Sequence, residues 1–437
     1  MTITSTSWRN WAGDEGCTPA RIFAPQSVTE LAEAVAKASA DGQTVRVVGA
    51  GHSFGDLVCT DGLLLNIDAL RGVRDVDYDA GLITVGAGTR LADLNAELAR
   101  LGLALPNLGD IDRQSVAGAV STGTHGTGAR LGNLAVGIVG AEMVLADGSI
   151  LALTDDDPET LRAARVSLGA LGVITSYRLR VVPAFRLHAQ QRSMPMAEVL
   201  GRLDELVDDN DHFEFFQFPH ADSALVKMNN RTDLPARPRS DRAKRLGSFV
   251  ENGLLDAVCR VGRRFPAQIP RINRGVDRLM TASDAVDASY EVFASPRTVR
   301  FTESEWAVPR EACAQVLTDI HRAIDKHRIE VNFPIEVRFV AGDTASYLSP
   351  ACGRDTAYLA VHMYRGMAWR PYFQAVQDIA VAHGGRPHWG KRHLLDAERL
   401  ADLYPEWGRF QAVRSRVDPT GTFTNDHIRR VLGSVGA

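Results

Sequence analysis

Thr44-Val45-Arg46-Val47-Val48-Gly49-Ala50-Gly51-His52-Ser53-Phe54 decides the fold. Its first five residues are mostly β-branched and predict a strand. The strand runs into Gly49-Ala50-Gly51, where glycine permits a tight turn and lets backbone amides approach an anion. Upstream, Arg21-Ile22-Phe23-Ala24-Pro25 predicts a short strand ended by a proline. Between the two, Ser27-Val28-Thr29-Glu30 matches a capping box, and Leu31, Val35 and Ala38 give the following helix one apolar face before Asp41-Gly42 closes it. The chain therefore opens as a β-α-β unit that leads into a glycine loop holding a histidine.

Further out, Leu63–Ile67 predicts a strand, and Arg74–Tyr78 with Leu82–Val85 a hairpin turning at Asp79-Ala80-Gly81. Leu91, Leu94, Leu98 and Leu101 share one side of a helix. Pro106–Arg130 is too rich in Gly, Ser and Thr for an ordinary core helix. Strands are expected at Gly140–Leu145 and Ile150–Leu153, turning at Asp147-Gly148, and at Val173–Val182. From Phe185 glycine thins, which puts a boundary near residue 184. Phe213–Phe218 and Phe333–Phe339 predict strands separated by helical stretches. A basic, proline-containing segment, Arg231–Arg278, interrupts them with 12 Lys+Arg against 5 Asp+Glu.

At ~100–200 residues per domain, 437 residues predict two or three domains. The 49 Lys+Arg and 53 Asp+Glu give −4, so there is no global basic field and nucleic acid is excluded as the main partner. The five cysteines are odd in number, far apart and without a C-x-x-C pair, so neither a disulfide framework nor a metal site is expected. Met1–Ser5 lacks the basic and apolar regions of a secretory signal. The longest apolar run, Leu134–Leu153, is broken by Glu142 and Asp147, short of the ~18 residues of a membrane span. These features predict a soluble, reduced, cytoplasmic protein.

Three glycine loops follow β-like runs: Gly49–Phe54, Gly86-Ala87-Gly88 and Gly123-Thr124-His125-Gly126-Thr127-Gly128. Phe54 stands where G-x-G-x-x-G needs its third glycine, so the first loop is not a Rossmann fingerprint. On residue pattern alone the three fit a pyrophosphate cradle and a turn-rich β domain equally well. His52 is then either a hydrogen-bonded loop histidine or a residue facing a ligand.

Val48–Phe54, with Pro25-Gln26-Ser27 before it and Ser115–Gly128 after it, resembles the vanillyl-alcohol-oxidase (VAO/PCMH) type of FAD flavoproteins. Within that group the chain resembles the sugar-1,4-lactone oxidoreductases, the L-gulonolactone and D-arabinonolactone oxidases and dehydrogenases, and their actinobacterial branch most of all. Pro334-Ile335-Glu336-Val337-Arg338, His388-Trp389-Gly390-Lys391 and the closing Asp418-Pro419 to Arg430 stretch agree in the same order. The resemblance implies an α+β fold. An FAD-binding domain of two α+β subdomains would span 1–184, a cap domain with an antiparallel sheet 185–395, and a segment returning to the FAD domain 396–437. It implies FAD against Val48, Gly49, Ala50, Gly51, Ser53 and Phe54; against Gly109, Asp110, Ser115, Gly118, Ala119, Ser121 and Thr122; and against Gly123, Thr124, His125, Gly126 and Val173. His52 occupies the position that carries the flavin 8α-carbon in covalent members.

In Phe333–Phe339, Ile335, Val337 and Phe339 alternate with Glu336 and Arg338, whose Cα atoms would lie about 6.6 Å apart on one face. Alone, such a pair is as easily a solvated ion pair. Tyr358, Ala360, His362 and Tyr364 share a face of another strand, so His362 either lines a cavity or packs. Lys391 alone reads as a surface lysine after a turn, and His388 as structural. The resemblance implies a catalytic set of Glu336, Arg338 and Lys391, and the strand face adds His362 to it as a candidate. Glu336 would position substrate hydroxyls and Arg338 would stabilise negative charge on the reduced flavin. Hydride would pass from lactone C2 to flavin N5 and the hydroxyl proton to a base, giving a 2-keto lactone that tautomerises to an ascorbate-type enediol.

The competing expectations are an alditol (polyol) oxidase of the same fold and a flavoenzyme of lipid- or nucleotide-linked sugars. A third, from another class, is a flavin-storage or redox-sensing protein with a dead site. Alditol oxidases place hydroxyl residues where this chain has Ala119 and Tyr364, and intact Glu336, Arg338 and Lys391 argue against a dead site. The electron acceptor is left open among O₂, a cytochrome and a quinone; Ala117, Gly118 and Ala119 are all small. The basic segment reads as a solvated loop, or as a weak contact with an anionic membrane or an acidic redox partner that would make the protein peripheral.

Overall fold

Strands β1 (Arg21–Phe23), β2 (Val45–Val48) and β3 (Leu63–Asn66) form a parallel sheet with β3 in the middle. The computed structural model describes residues 7–237, 241–278, 282–295 and 297–436, with backbone alone over 241–251. Helix α1 (Val28–Ala40) joins β1 to β2 and starts as its sequence predicts. Ser27 Oγ accepts from the Glu30 amide at 3.1 Å, and the Glu30 carboxylate accepts from the Gln26 amide at 2.9 Å. Leu31, Val35 and Ala38 are buried beneath it.

A second, antiparallel sheet follows: β4 (Val73–Asp77), β5 (Leu82–Gly86), β6 (Ile138–Val144), β7 (Ile150–Leu153) and β8 (Val173–Arg180), in the order β7-β6-β8-β5-β4. Helix α2 (Leu91–Arg100) buries Leu91, Leu94 and Leu98, while Leu101 is its half-buried C-cap. Within Pro106–Arg130 the composition predicts no helix, yet α3 (Val116–Ser121) forms there. Ser115 caps it, its Oγ accepting from the Gly118 amide at 3.1 Å, and local capping outweighs the low propensity of Gly and Ser.

The third sheet has eight strands: β9 (Arg186–Pro195), β10 (His212–Gln217), β11 (Ser223–Thr232), β12 (Ser283–Ala288), β13 (Phe301–Pro309), β14 (Ile335–Val340), β15 (Thr356–Tyr364) and β16 (Arg386–Pro387). Their order is β12-β9-β11-β10-β14-β15-β13-β16, antiparallel throughout. The Gly128 amide donates to the Phe339 carbonyl at 2.6 Å and docks the third glycine loop on this sheet. The basic segment departs from the loop expected of it: a helix runs over Asp241–Arg264 and another over Ile269–Asp277. Pro266 and Pro270 sit in first turns, where a missing amide hydrogen costs nothing, so they start helical turns instead of breaking them. Residues 238–240 of that segment lie outside the described residues.

Arg46 on β2 is buried and donates to four carbonyls, those of Leu57, Leu168, Gly169 and Phe423. The Val45 amide donates to the Thr422 carbonyl, and Asn425 Nδ2 to those of Leu57 and Cys59. Residues 422–425 are thus bonded into the first sheet. Among the described residues no helix is long and apolar enough to cross a membrane.

Candidate active site

The turn after β2 is held from three sides. Gly51 adopts φ +70°, its carbonyl accepts from the Trp11 amide at 2.7 Å, the Ser53 carbonyl accepts from Asn10 Nδ2 at 3.2 Å, and the Phe54 amide donates to the Gly390 carbonyl at 2.9 Å. Trp11 stacks on His52 at 5.4 Å. Burial first, then the charges of Lys391 and Arg300, bring His52 down to about 4, so its imidazole is neutral at physiological pH.

Val48 to Ser53, Ser115, Gly118, Ser121, Thr122 and Val173 line one cleft. A Cβ on Gly49 would run into Ser115 Oγ, so the two loops can approach this closely only with glycine there. The other expected cofactor residues lie elsewhere. Phe54 is buried and stacks on Phe301, Ala119 is wholly buried, and Asp110 and Gly126 line a larger neighbouring cleft of about 1530 Å³. Gly109 approaches the His125 carbonyl, Gly123 takes φ +73°, and Thr124 accepts from Gln114. The Gly86-Ala87-Gly88 loop is absent from both clefts: a Cβ on Gly86 or Gly88 would strike the backbone of Leu70 or Ile67, so these glycines serve packing.

Across from the cradle, one face of the third sheet is polar although buried. Register places Glu214, Arg338, Tyr358 and Ala307 in one row and Phe216, Glu336, Ala360 and Glu305 in the next. Arg338 pairs through Nε with Glu214 at 3.0 Å and through Nη2 with Asp110 at 3.3 Å and with Glu336. Arg297 closes on Asp110 at 2.6 Å and Lys227 on Glu214 at 3.0 Å. Burial, reinforced by Asp110 and Glu214 and opposed by Arg338, pushes Glu336 up to about 8. Asp110 and Glu214 stay below the usual carboxylate range: burial would raise both, and their cationic neighbours overcome it. Glu336 is therefore the member of the trio that holds a proton.

Lys391 and His362 meet through a residue the sequence reading missed. Glu303 on β13 accepts from Lys391 Nζ at 2.6 Å and lies 3.7 Å from His362 Nε2, too far for a hydrogen bond. His362 Nδ1 donates to the Pro334 carbonyl at 3.1 Å, and burial depresses its pKa. The neutral ring therefore presents an unprotonated Nε2. All four expected catalytic residues thus share this sheet face or the loop beside it.

Residues 177–431 match the model of the D-arabinono-1,4-lactone oxidase family, and residues 19–154 that of an FAD binding domain. An L-gulono-1,4-lactone dehydrogenase of Mycobacterium tuberculosis is 48% identical over 98% of this chain and 100% of its own length. The chain belongs to the D-arabinono-1,4-lactone oxidase family. It is an FAD-dependent oxidoreductase. The L-gulonolactone oxidase of Bos taurus is 34% identical over 97% of this chain and 98% of its own. In fold, this family member superposes on cholesterol oxidase from Brevibacterium sterolicum with a TM-score of 0.85 at 18% identity, covering 98% of this chain and 97% of the other. The α+β class with a VAO/PCMH-type FAD domain stands.

A second buried network completes the family member's site. His125 Nε2 faces Glu305 Oε1 at 3.2 Å while its Nδ1 donates to the Gly126 carbonyl at 2.8 Å, and the ring stacks on Tyr358 at 3.6 Å. With Nδ1 donating, one proton must lie between Nε2 and Glu305. Burial would raise Glu305, but His125, then His388 and Lys391, bring it well below the usual carboxylate range. Ligand-capable atoms of His125, Glu305 and His388 lie within 4.8 Å of one another. His388 Nδ1 accepts from the Gly390 amide at 3.0 Å, so its other nitrogen carries the hydrogen and offers no lone pair to a metal. Glu303 and Glu305 left one signal in the sequence: two carboxylates two apart in a β-pattern, on one face of β13.

Proposed function

We propose that the protein oxidises an aldono-1,4-lactone of the L-gulono-1,4-lactone type at C2, giving an ascorbate-type product. The observation that carries the reading is the buried Glu336–Arg338 pair, braced by Asp110 and Glu214 beside the glycine cradle. The cradle's fit to a dinucleotide rests on Gly49, where a side chain would fill the gap to Ser115. Val48 to Ser53, Ser115, Gly118, Ser121, Thr122 and Val173 would hold FAD, and the neutral His52 would bond to it covalently. Bound FAD supplies the acceptor for the hydride from C2.

The chain's own groups do the rest. Protonated Glu336 donates a hydrogen bond to a lactone oxygen and fixes its orientation. His362 Nε2, unprotonated because Nδ1 is committed to Pro334, takes the hydroxyl proton. Arg338 keeps a permanent positive charge where negative charge develops, and Lys391, held by Glu303, adds a second. A polyol substrate has less support: Ala119 is sealed in the core and the Tyr364 hydroxyl donates to Asp256 at 2.7 Å.

The division into 1–184, 185–395 and 396–437 is proposed with it, supported by the change of sheet between β8 and β9 and by the bonds of residues 422–425 to the first sheet. O₂, a cytochrome or a quinone would reoxidise the enzyme, which we read as cytoplasmic. Anaerobic mixing with L-gulono-1,4-lactone, xylitol or buffer tests the reading. It predicts flavin bleaching by the lactone alone, and bleaching by xylitol alone would reverse it.

A further inference from the structure

The imidazole of His52 is held by a ring and not by a hydrogen bond. His125 and His362 each have one ring nitrogen fixed on a backbone carbonyl, that of Gly126 and that of Pro334. Among the described residues neither nitrogen of His52 has a hydrogen-bond partner. Without one, the last side-chain torsion of a histidine is broad, and the ring swings freely about it. What sets the imidazole plane here is the indole of Trp11, stacked on it at 5.4 Å with the two planes 29° apart.

Trp11 is itself fixed from several directions. Trp8–Arg9 pairs antiparallel with Gly16–Cys17, and residues 10–15 are the loop of that hairpin. Asn10 Oδ1 gathers the loop by accepting from the amides of Gly13, Asp14 and Glu15 at 2.8, 3.1 and 3.2 Å. Arg392, the residue after Lys391, pairs with Asp14 at 2.9 Å and Glu15 at 2.8 Å. The indole meets Phe54 and Phe301 edge to face at 6.3 and 5.5 Å. Arg300 donates to the Trp11 carbonyl and lies with its guanidinium 4.4 Å from the ring centroid. Phe54 belongs to the loop after β2, while Arg300 and Phe301 stand where β13 begins. Both sides of the site therefore hold the one ring that stacks on His52.

We propose that Trp11 is the positioning residue for the covalent flavin bond, its indole fixing the plane of the His52 imidazole against the cofactor. The proposal rests on the reading of His52 as the point of attachment. The nucleophilic lone pair of an imidazole lies in the ring plane, so fixing the plane fixes the direction of attack. The unprotonated nitrogen of His52 forms a bond to the flavin C8α. Two protons leave, one from C8α and one from the other imidazole nitrogen, and the electron pair passes through the flavin to O₂, which becomes hydrogen peroxide. Lys391 and Arg300, which hold the imidazole neutral, keep that lone pair available.

The test compares wild type, Trp11→Phe and Trp11→Leu as purified with FAD, with His52→Ala as the blank. Phenylalanine keeps a flat ring that can stack; leucine keeps apolar bulk without one. Three quantities are read: total flavin, the share of it that stays with the acid-precipitated chain, checked by intact mass, and the unfolding temperature. Trp11→Phe should keep a covalent share close to that of wild type. In Trp11→Leu the share should fall about twofold to tenfold, the worth of one aromatic pair, with total flavin and unfolding temperature matching those of Trp11→Phe. Equal covalent shares in the two variants overturn the proposal. So does a loss of total flavin in Trp11→Leu as large as its loss of covalent flavin, which would leave Trp11 only holding the loop. A colourless wild-type pellet overturns it as well, and is told apart because the bond is then missing with Trp11 intact, so that the reading of His52 has failed.

Discussion

Lys391 Nζ and Glu303 Oε2 lie 2.6 Å apart, joining the loop after β16 to the middle of β13. Burial lowers the pKa of Lys391, and Glu303, then Glu305, more than restores it, so the ammonium stays charged beside the flavin cradle. Glu303→Gln should leave that charge buried and unpaired, costing about 3–5 kcal/mol of stability. The double variant Glu303→Gln/Lys391→Met should lose less than the sum of the singles, with a coupling of about 0.5–3 kcal/mol. Chemical unfolding of the four proteins measures it; additive losses would remove the pair from the account.

The glycine cradle gives a steric prediction. Gly49→Ala places a methyl group against Ser115 Oγ, so the loops must separate and flavin should be lost during purification. Adding Ser115→Ala removes the clashing oxygen, at the cost of the α3 cap, about 1 kcal/mol. The double variant should therefore retain more flavin than Gly49→Ala. The flavin-to-protein absorbance ratio decides, and equal loss in both would show that the close approach is not what holds the cofactor.

His52 makes a covalent prediction. Acid denaturation of the holoenzyme should leave a yellow pellet, with the intact mass exceeding that of the chain by one FAD. His52→Ala should bind flavin without the bond and be reduced more slowly. A colourless wild-type pellet reduces His52 to a neighbour of the ring.

Much of this was legible beforehand, and the exceptions are instructive. The β1-α1-β2 opening was readable because a capping box and a glycine turn are local devices. Glu336 and Arg338 were readable as a same-face pair because strand periodicity is fixed. Their burial was not, since a Glu-x-Arg pattern looks the same whether water or a second domain faces it. Glu303 and Glu305 stayed hidden for that reason, and because only the strand order β10-β14-β15-β13 brings β13 to the site. The helical character of the basic segment was obscured by its prolines, since Pro266 and Pro270 look like breakers until their first-turn positions after the long helix are known.

The two titrating groups at the site set a pH window. His362 must be neutral to take a proton, and burial lowers its pKa; Glu336 must keep its proton, and loses it near 8. Flavin reduction should therefore rise with pH through the acid limb, plateau near neutrality and fall above about 8. Glu336→Gln, a permanent donor, should retain activity and lose the alkaline fall, while His362→Gln should lose the acid limb together with most of the rate. A profile in Glu336→Gln identical to wild type would show that another group titrates.

The central claim is that Arg338 stabilises charge that develops only as the lactone is oxidised. Stopped-flow anaerobic reduction of wild type and Arg338→Ala with saturating L-gulono-1,4-lactone tests it most directly, with flavin content matched. Losing one such contact costs ~2.7–4 kcal/mol, so reduction should slow by about 10²–10³ while Arg338→Lys recovers part of the rate. Reduction of Arg338→Ala at the wild-type rate would contradict the account and make the buried Glu336–Arg338 pair a structural one.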